Sequence, residues 1–272
     1  MQLHSISPKA LVKSVWNNRS LIKAMIKREV IGRYKGSFLG IFWSFFNPVL
    51  MLAVYTFVFS VIFKARWSGG TDSKTEFALV LFGGLMVFNL FAECVNRAPG
   101  VILANANYVK KVVFPLEILP WVNLGSAMFH FLVSLSVWLI AYLCLFGIPH
   151  LTALMLPIIM LPLLFLVMGL SWGLASLGVY LRDVSQFIGI LTTVLMFLSP
   201  IFYPSSALPQ QYAHILLLNP LTPAVEGVRD VLFWGRLPDM TVLSMYMVGS
   251  ALFAWLGFAW FQKTRKGFAD VL

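Results

Sequence analysis

Two basic side chains, Arg33 and Lys35, stand just before a long apolar run and could bind a phosphate group. The guanidinium of arginine suits this because it donates two parallel N–H···O bonds to a phosphate, and lysine adds a point charge. Residues 38–63 carry no charge, and such a run is long enough to be a membrane helix. An anionic lipid-linked substrate could therefore meet these side chains at the membrane surface. A basic anchor with no substrate role explains them equally well.

A second candidate site lies in the segment 100–116, where aromatic and basic side chains are mixed. Its candidate residues are Tyr108, Lys110, Lys111 and Phe114, and Glu117, just after the segment, belongs to the same candidate surface. Aromatic rings on both sides of a lysine pair favour contact with another protein over a merely solvated turn. The sequence contains no G-x-x-x-x-G-K-[ST] loop for ATP. If ATP drives this protein, a partner chain must bind the ATP and Mg²⁺, and this chain needs no cofactor of its own.

Polar residues inside the apolar runs are functional candidates because their burial in a membrane is costly. Glu93 and Arg97 are four residues apart, which suits an ion pair on one helix face. We expect that pair to be structural. His130 lies in mid-run near Ser134, and we expect hydrogen-bonded packing there rather than a proton carrier.

Catalysis by clustered acids is not expected, because the acidic residues outside the predicted cytoplasmic segments are scattered along the sequence. They are Asp72, Glu76, Glu226, Asp230 and Asp239. Cys94 and Cys144 lie in different apolar runs and are predicted to be free thiols. No metal site is expected, and the chain is not predicted to be an enzyme.

The composition indicates an integral membrane protein, since 60% of the residues are apolar and only 11% are charged. The net charge of +10 does not indicate nucleic-acid binding, because the basic residues flank apolar runs, where they meet anionic lipid. Residues 1–37 show no cleavable signal peptide.

Charged residues divide the chain into an all-α architecture with six predicted spans. We predict an amphipathic interface helix in residues 1–36, a transmembrane domain in 37–262 and a cytoplasmic tail in 263–272. Within the domain, the prolines after residue 199 predict two short re-entrant helices in about 205–234. The excess of Lys and Arg places both termini in the cytoplasm. The predicted spans are about 38–63, 77–96, 118–146, 151–181, 184–202 and 240–261.

Aromatic side chains crowd the first and fifth predicted spans and could line a path for sugar rings, which stack on aromatic faces. The candidates are Phe42, Trp43, Phe46, Tyr55, Phe59, Phe197 and Tyr203. Lipid-facing packing and interfacial belts are the alternative for each of them.

Five segments of the chain together resemble the ABC-2 type polysaccharide export permeases, and the form of the first is closer to O-antigen exporters than to capsule exporters. The segments occur in the order of the family, and the resemblance covers about residues 20–270. The segments are GRYKGSFLGIFWSFFNP at 32–48, NANYVKKVVFPLEILP at 105–120, RDVSQF at 182–187, SPIFYPSSALP at 199–209 and NPLTPAVEGVRDVLFWG at 219–235.

The resemblance implies a homodimer in a bacterial inner membrane that pairs with an ATP-binding cassette ATPase. The substrate would be an undecaprenyl-pyrophosphate-linked polysaccharide that moves from cytoplasm to periplasm, with 105–114 as the coupling helix and 205–234 as gate helices. Arg182 could join Arg33 and Lys35 at the head group, or simply close a cytoplasmic loop. A capsule or teichoic acid exporter of the same family is the first alternative. A small secondary transporter is the second, and only Glu93 favours it.

Overall fold

The protein is a bundle of helices in a computed structural model that describes residues 5–62, 74–111, 114–207, 209, 211, 216 and 218–272. No strand occurs in these residues, which confirms the all-α class. The α-helices are α1 Pro8–Asn17, α2 Arg19–Tyr34, α3 Trp43–Tyr55, α4 Lys74–Arg97, α5 Ala106–Lys111, α6 Leu119–Phe146, α7 Leu156–Tyr180, α8 Val184–Leu198, α9 Thr222–Arg229, α10 Met240–Thr264 and α11 Phe268–Val271.

Two helices form the amino-terminal segment. Ser7 caps α1, with its hydroxyl accepting a hydrogen bond from the Lys9 backbone N–H at 3.3 Å. The second helix follows directly, with Asn18 as the residue before its first turn. Ile22 is buried against the body of the protein. The apolar face of this segment therefore packs on protein, and its expected position in the membrane interface is not confirmed.

Five helical segments of the described residues are long and apolar enough to cross a membrane. They are Gly40–Phe59, Thr75–Gly100, Leu116–Phe146, Leu151–Tyr180 and Met240–Val271. These segments correspond to five of the six predicted spans, and α6 begins and ends within a residue of the prediction. Pro48 lies inside α3, and the chain continues from α3 into a π-helical segment, Thr56–Ile62. Residue 63 and most of the following predicted loop lie outside the described residues.

The predicted fifth span differs from the structure in its length. Its helix, α8, has 15 residues and is about 22 Å long, whereas the hydrocarbon core is about 30 Å thick. The helix ends at Leu198 because Ser199 is extended before Pro200, as the proline ring requires. The described part of 205–234 contains a 3-10 turn, α9 and a π-helical segment, Asp230–Trp234, so re-entrant gate helices are not confirmed.

The core is centred on α4, whose side chains Leu81, Val87 and Cys94 are fully buried. Helices α3, α6, α7, α8 and α9 pack around it. On the far side, α7 and α10 approach closely where Gly169 faces Gly257, since a Cβ on either glycine would collide with the backbone of the other helix. A rigid frame of this kind fixes the position of the polar residues that α4 and α6 carry.

Candidate functional site

A polar cavity of about 240 Å³ lies where the end of α2 meets α3, α4 and α6. We call it the α2 cavity. Its polar lining comes from Arg33, Tyr34, Ser44, Asn47, Asn89, Glu93, His130 and Ser134. These side chains meet because residues four apart share one helix face, as Asn89 and Glu93 do on α4 and as His130 and Ser134 do on α6.

Arg33, Glu93 and His130 form a compact hydrogen-bonded group in this cavity. The Nη1 atom of Arg33 is 2.5 Å from Oε1 of Glu93, and Nδ1 of His130 is 2.9 Å from Oε2 of the same carboxylate. On the other side of the imidazole, the Tyr34 hydroxyl is 3.1 Å from Nε2. His130 therefore bridges Glu93 and Tyr34, and Nη1 of Arg33 also lies 3.1 Å from its Nδ1 atom. The expectation of a hydrogen-bonded His130 is confirmed.

The expected pair of Glu93 and Arg97 is present but is not the main contact of either residue. Nη1 of Arg97 is 3.6 Å from Oε1 of Glu93, whereas Arg97 forms a much closer ion pair with Glu29 on α2. The result is a chain of alternating charge in the order Glu29, Arg97, Glu93, Arg33. Two of its members come from α2 and two from α4, so this network joins the amino-terminal segment to the central helix.

Of the three basic residues expected at a head group, the structure places only Arg33 in the α2 cavity. Lys35 follows α2 as an exposed residue, and Arg182 is exposed between α7 and α8. Neither lines this cavity.

A second cavity, of about 490 Å³, lies beside α5 and is called the α5 cavity. Its lining includes Arg28, Glu29 and Arg97, and it also includes Asn105 just before α5. Nη1 of Arg28 donates to the Tyr108 hydroxyl at 3.1 Å. The same helix, α2, thus contacts both the α2 cavity and the α5 segment.

The α5 segment is held by an aromatic stack and by a buried acid. Tyr108 and Phe114 lie face to face, with ring centres 4.4 Å apart and planes within 8°. Glu117 accepts from Ser14 at 2.8 Å and from Arg265 at 2.6 Å, and Arg265 also donates to the Phe114 carbonyl. The sequence analysis grouped Glu117 with Tyr108 and Phe114 in one candidate surface. In the structure Glu117 is buried and both of its carboxylate oxygens accept hydrogen bonds, so it does not lie on an open surface with the aromatic pair.

Lys110 and Lys111 end α5, and their side chains lie outside the described part of the chain.

The aromatic candidates fall into two groups in the structure. Phe59 stacks on Phe202 with ring centres 6.1 Å apart, and Phe202 stacks on Phe197 at 5.8 Å, so the first and fifth predicted spans meet there. The Tyr203 hydroxyl donates to the Phe197 carbonyl at 3.3 Å.

Nearer the start of α3, Trp43 packs edge-on against Phe46. Phe42 and Phe46 are exposed, whereas Tyr55 is partly buried against the core.

Arg229 is a structurally important residue that the sequence reasoning missed. It is 4% exposed and donates to the backbone carbonyls of Val80, Pro200 and Ile201. Pro200 and Ile201 follow the end of α8 at Leu198, so their carbonyl groups have no helical donors, and Arg229 satisfies both of them. The signal in the sequence is a lone arginine within a proline-rich segment that is otherwise mostly apolar.

Three of the acids that were expected to be scattered line one cavity of about 220 Å³. They are Glu226, Asp230 and Asp239, and this is a correction. Asp239 is engaged as the cap of α10, where its carboxylate accepts from the Thr241 and Val242 N–H groups. No group of three or more possible metal ligands occurs among the described residues.

Comparison with known proteins identifies the family. The profile of the ABC-2 type transporter family matches residues 20–233, which is most of the chain. The chain belongs to the ABC-2 type transporter family. The resemblance drawn from the sequence motifs is therefore confirmed, and the protein is a membrane transporter permease, a class that is not itself enzymatic.

Several relatives of this ABC-2 permease match nearly its whole length. The O-antigen export system permease protein RfbA of Myxococcus xanthus is 28% identical over 262 residues, which is 96% of this chain and 98% of the relative. The O-antigen export system permease protein RfbA of Klebsiella pneumoniae is 28% identical over 254 residues, covering 93% and 95% of the two chains. The polysialic acid transport protein KpsM of Escherichia coli is 26% identical, covering 90% and 93%.

Proposed function

We propose that this chain is the transmembrane subunit of an ATP-driven exporter that moves undecaprenyl-pyrophosphate-linked polysaccharide, of the O-antigen type, from the cytoplasm to the periplasm. The family match and the O-antigen export permeases among the relatives support the substrate class. The observation in the structure that carries the proposal is the α2 cavity, which is lined by Arg33 and by polar side chains from α3, α4 and α6.

Arg33 is the residue that binds the diphosphate in this proposal. It is the arginine that lines the α2 cavity, and its side chain is about half exposed, so it is accessible to a ligand. Lys35 and Arg182 are exposed and would attract the head group as mobile charges. The distribution of Lys and Arg places this end of the bundle at the cytoplasmic surface, where such a substrate is made.

The polymer path runs between two copies of the chain. Exposed apolar side chains form a stripe on α8 at spacings of three and four residues, and this stripe contains Phe187, Ile190, Val194 and Phe197. Phe42 and Phe46 add exposed aromatic surface at the start of the first predicted span. A homodimer would enclose Phe42, Trp43, Phe46, Tyr55, Phe59, Phe197 and Tyr203 between its two copies, where their rings would stack on passing sugars.

Force reaches this path from a separate ATP-binding cassette ATPase, which holds ATP and Mg²⁺. The stacked rings of Tyr108 and Phe114 form the contact with that subunit, and Lys110 and Lys111 add charge. Glu117 positions this surface through Ser14 and Arg265 and does not touch the partner. Because Arg28 bonds to Tyr108, displacement of α5 moves α2 and thereby Arg33.

In this proposal the chain crosses the membrane six times, with residues 199–202 completing the fifth crossing after the end of α8. Both termini face the cytoplasm. The segment from Ser205 to Trp234 then forms the periplasmic gate, and Arg229 secures it to α4 and to the end of α8.

Depletion of the chain in its host tests the function. We expect lipid-linked polymer to accumulate at the cytoplasmic face and surface polysaccharide to disappear, with recovery on re-expression and co-purification of an ATP-binding subunit. The chemical nature of the lost surface polymer distinguishes an O-antigen exporter from a capsule exporter, and the relatives include exporters of both kinds. Unchanged surface polymer, or a flux that follows the proton gradient without ATP, would contradict the proposal and favour a secondary transporter.

A further inference from the structure

We propose that Glu93 occupies the phosphate position of the unloaded protein, and that loading replaces the Glu93 carboxylate by a substrate phosphate on Arg33. The proposal rests on the proposed function and names the residue that controls its binding site. The contact that carries it is the 2.5 Å ion pair between Arg33 and Glu93, which both line the α2 cavity. A carboxylate on a guanidinium offers the same paired oxygens as a phosphate.

The charges around the cavity explain why such an occupant is needed. Glu29, Arg97, Glu93 and Arg33 form two ion pairs that are also linked to each other, so their charges cancel. A bare arginine at this membrane surface would attract any anionic lipid. With Glu93 in place, a singly charged phosphodiester gains little by replacing a carboxylate of the same charge. A diphosphate brings more charge and more acceptor oxygens, so it can compete.

Exchange is physically reasonable because neither partner is left without a counter-charge or hydrogen bond. Breaking a buried ion pair is costly chiefly when one charge is left uncompensated. Glu93 keeps the hydrogen bond from His130, and Arg97 already lies 3.6 Å away. The side chain of Arg33 is about half exposed, so a ligand can reach its guanidinium. We therefore assign Glu93 as a specificity-determining residue, with His130 and Tyr34 holding it in position.

Binding measurements on the full chain in phosphatidylcholine nanodiscs test this assignment. The probes are farnesyl diphosphate, inorganic pyrophosphate and uncharged farnesol. The Glu93→Gln variant should bind both diphosphates about fivefold more tightly, equivalent to about 1 kcal/mol, because Arg33 is half exposed and solvent weakens its ion pair with Glu93. Binding of farnesol should not change. Asp270→Asn removes one negative charge from an exposed carboxyl-terminal position and should leave all three affinities unchanged.

Two further variants separate the possible failures. Arg33→Gln should lose most of the affinity for both diphosphates. If it does, and Glu93→Gln binds them no more tightly than the wild type, the exchange is wrong and the head-group site stands. If diphosphate binding does not depend on Arg33, the head-group site of the proposed function is itself wrong. Glu93→Asp keeps the charge but withdraws the carboxylate by one methylene, so it should tighten binding partly and covers the case in which Glu93→Gln does not fold.

Discussion

Replacement of Arg229 by methionine should destabilise the protein more than any other removal of a single charge in its carboxyl-terminal third. The guanidinium is almost fully buried and donates to three backbone carbonyls, which belong to Val80, Pro200 and Ile201. Methionine fills a similar volume but donates nothing. A buried acceptor that loses its donor costs about 1–3 kcal/mol, so three of them lose at least about 3 kcal/mol together. Removal of the buried Arg229 charge is itself favourable and offsets part of the cost of the unpaired carbonyls. The net decrease in the free energy of unfolding is then about 3–5 kcal/mol.

The assay is reversible unfolding in mixed micelles, followed by tryptophan fluorescence, with Arg236→Met as the matched control. Arg236 is exposed and lies over the Trp234 ring at 5.8 Å, a contact worth only about 0.5–1 kcal/mol. We expect Arg229→Met to lower the free energy of unfolding by at least about 2 kcal/mol more than the control does. Equal losses in the two variants would refute the conclusion that Arg229 holds the proline-rich segment in place.

Two other changes give sharp expectations. Gly178→Ala would push a Cβ into the Pro99 backbone and should lower the free energy of unfolding by about 1–3 kcal/mol. Gly173→Ala in the same helix meets open space and should cost nothing. Equal effects of the two variants would contradict the packing of α7. Charge reversal of Lys110 and Lys111 to Glu should abolish polymer export but leave membrane insertion intact, as measured by surface polysaccharide and by membrane fractionation. Normal polymer display by that double variant would remove α5 from the coupling surface.

Much of the helical frame could be predicted from charge placement. Long uncharged runs must be membrane helices, and the turn at Gly147 and Pro149 separates α6 from α7 where expected. The short α8 was not foreseen, because its apolar run continues past Leu198 whereas the helix ends there, two residues before Pro200. Hydropathy does not register that change, whereas the restriction before proline does.

The candidate site was predictable only in part, because its contacts are long-range. Arg33 could be recognised from its position before an apolar run. Its pairing with Glu93 depends on how α2 packs against α4, 60 residues later. The hydrogen bond from His130 to the same carboxylate depends on the rotation of α6, which a single sequence does not encode locally. The burial of Glu117 could not be predicted for the same reason: its hydrogen-bond partners Ser14 and Arg265 lie near opposite ends of the chain, far from it in sequence.

Reconstitution of this chain with its ATP-binding subunit in proteoliposomes tests the central claim most directly. Undecaprenyl-pyrophosphate-linked polymer is supplied on the face that carries the ATPase, and its arrival in the lumen is measured. The account predicts transfer that requires ATP and the partner subunit and that is lost in Arg33→Gln while subunit binding persists. Transfer by this chain alone, driven by a proton gradient and unaffected by Arg33→Gln, would contradict it.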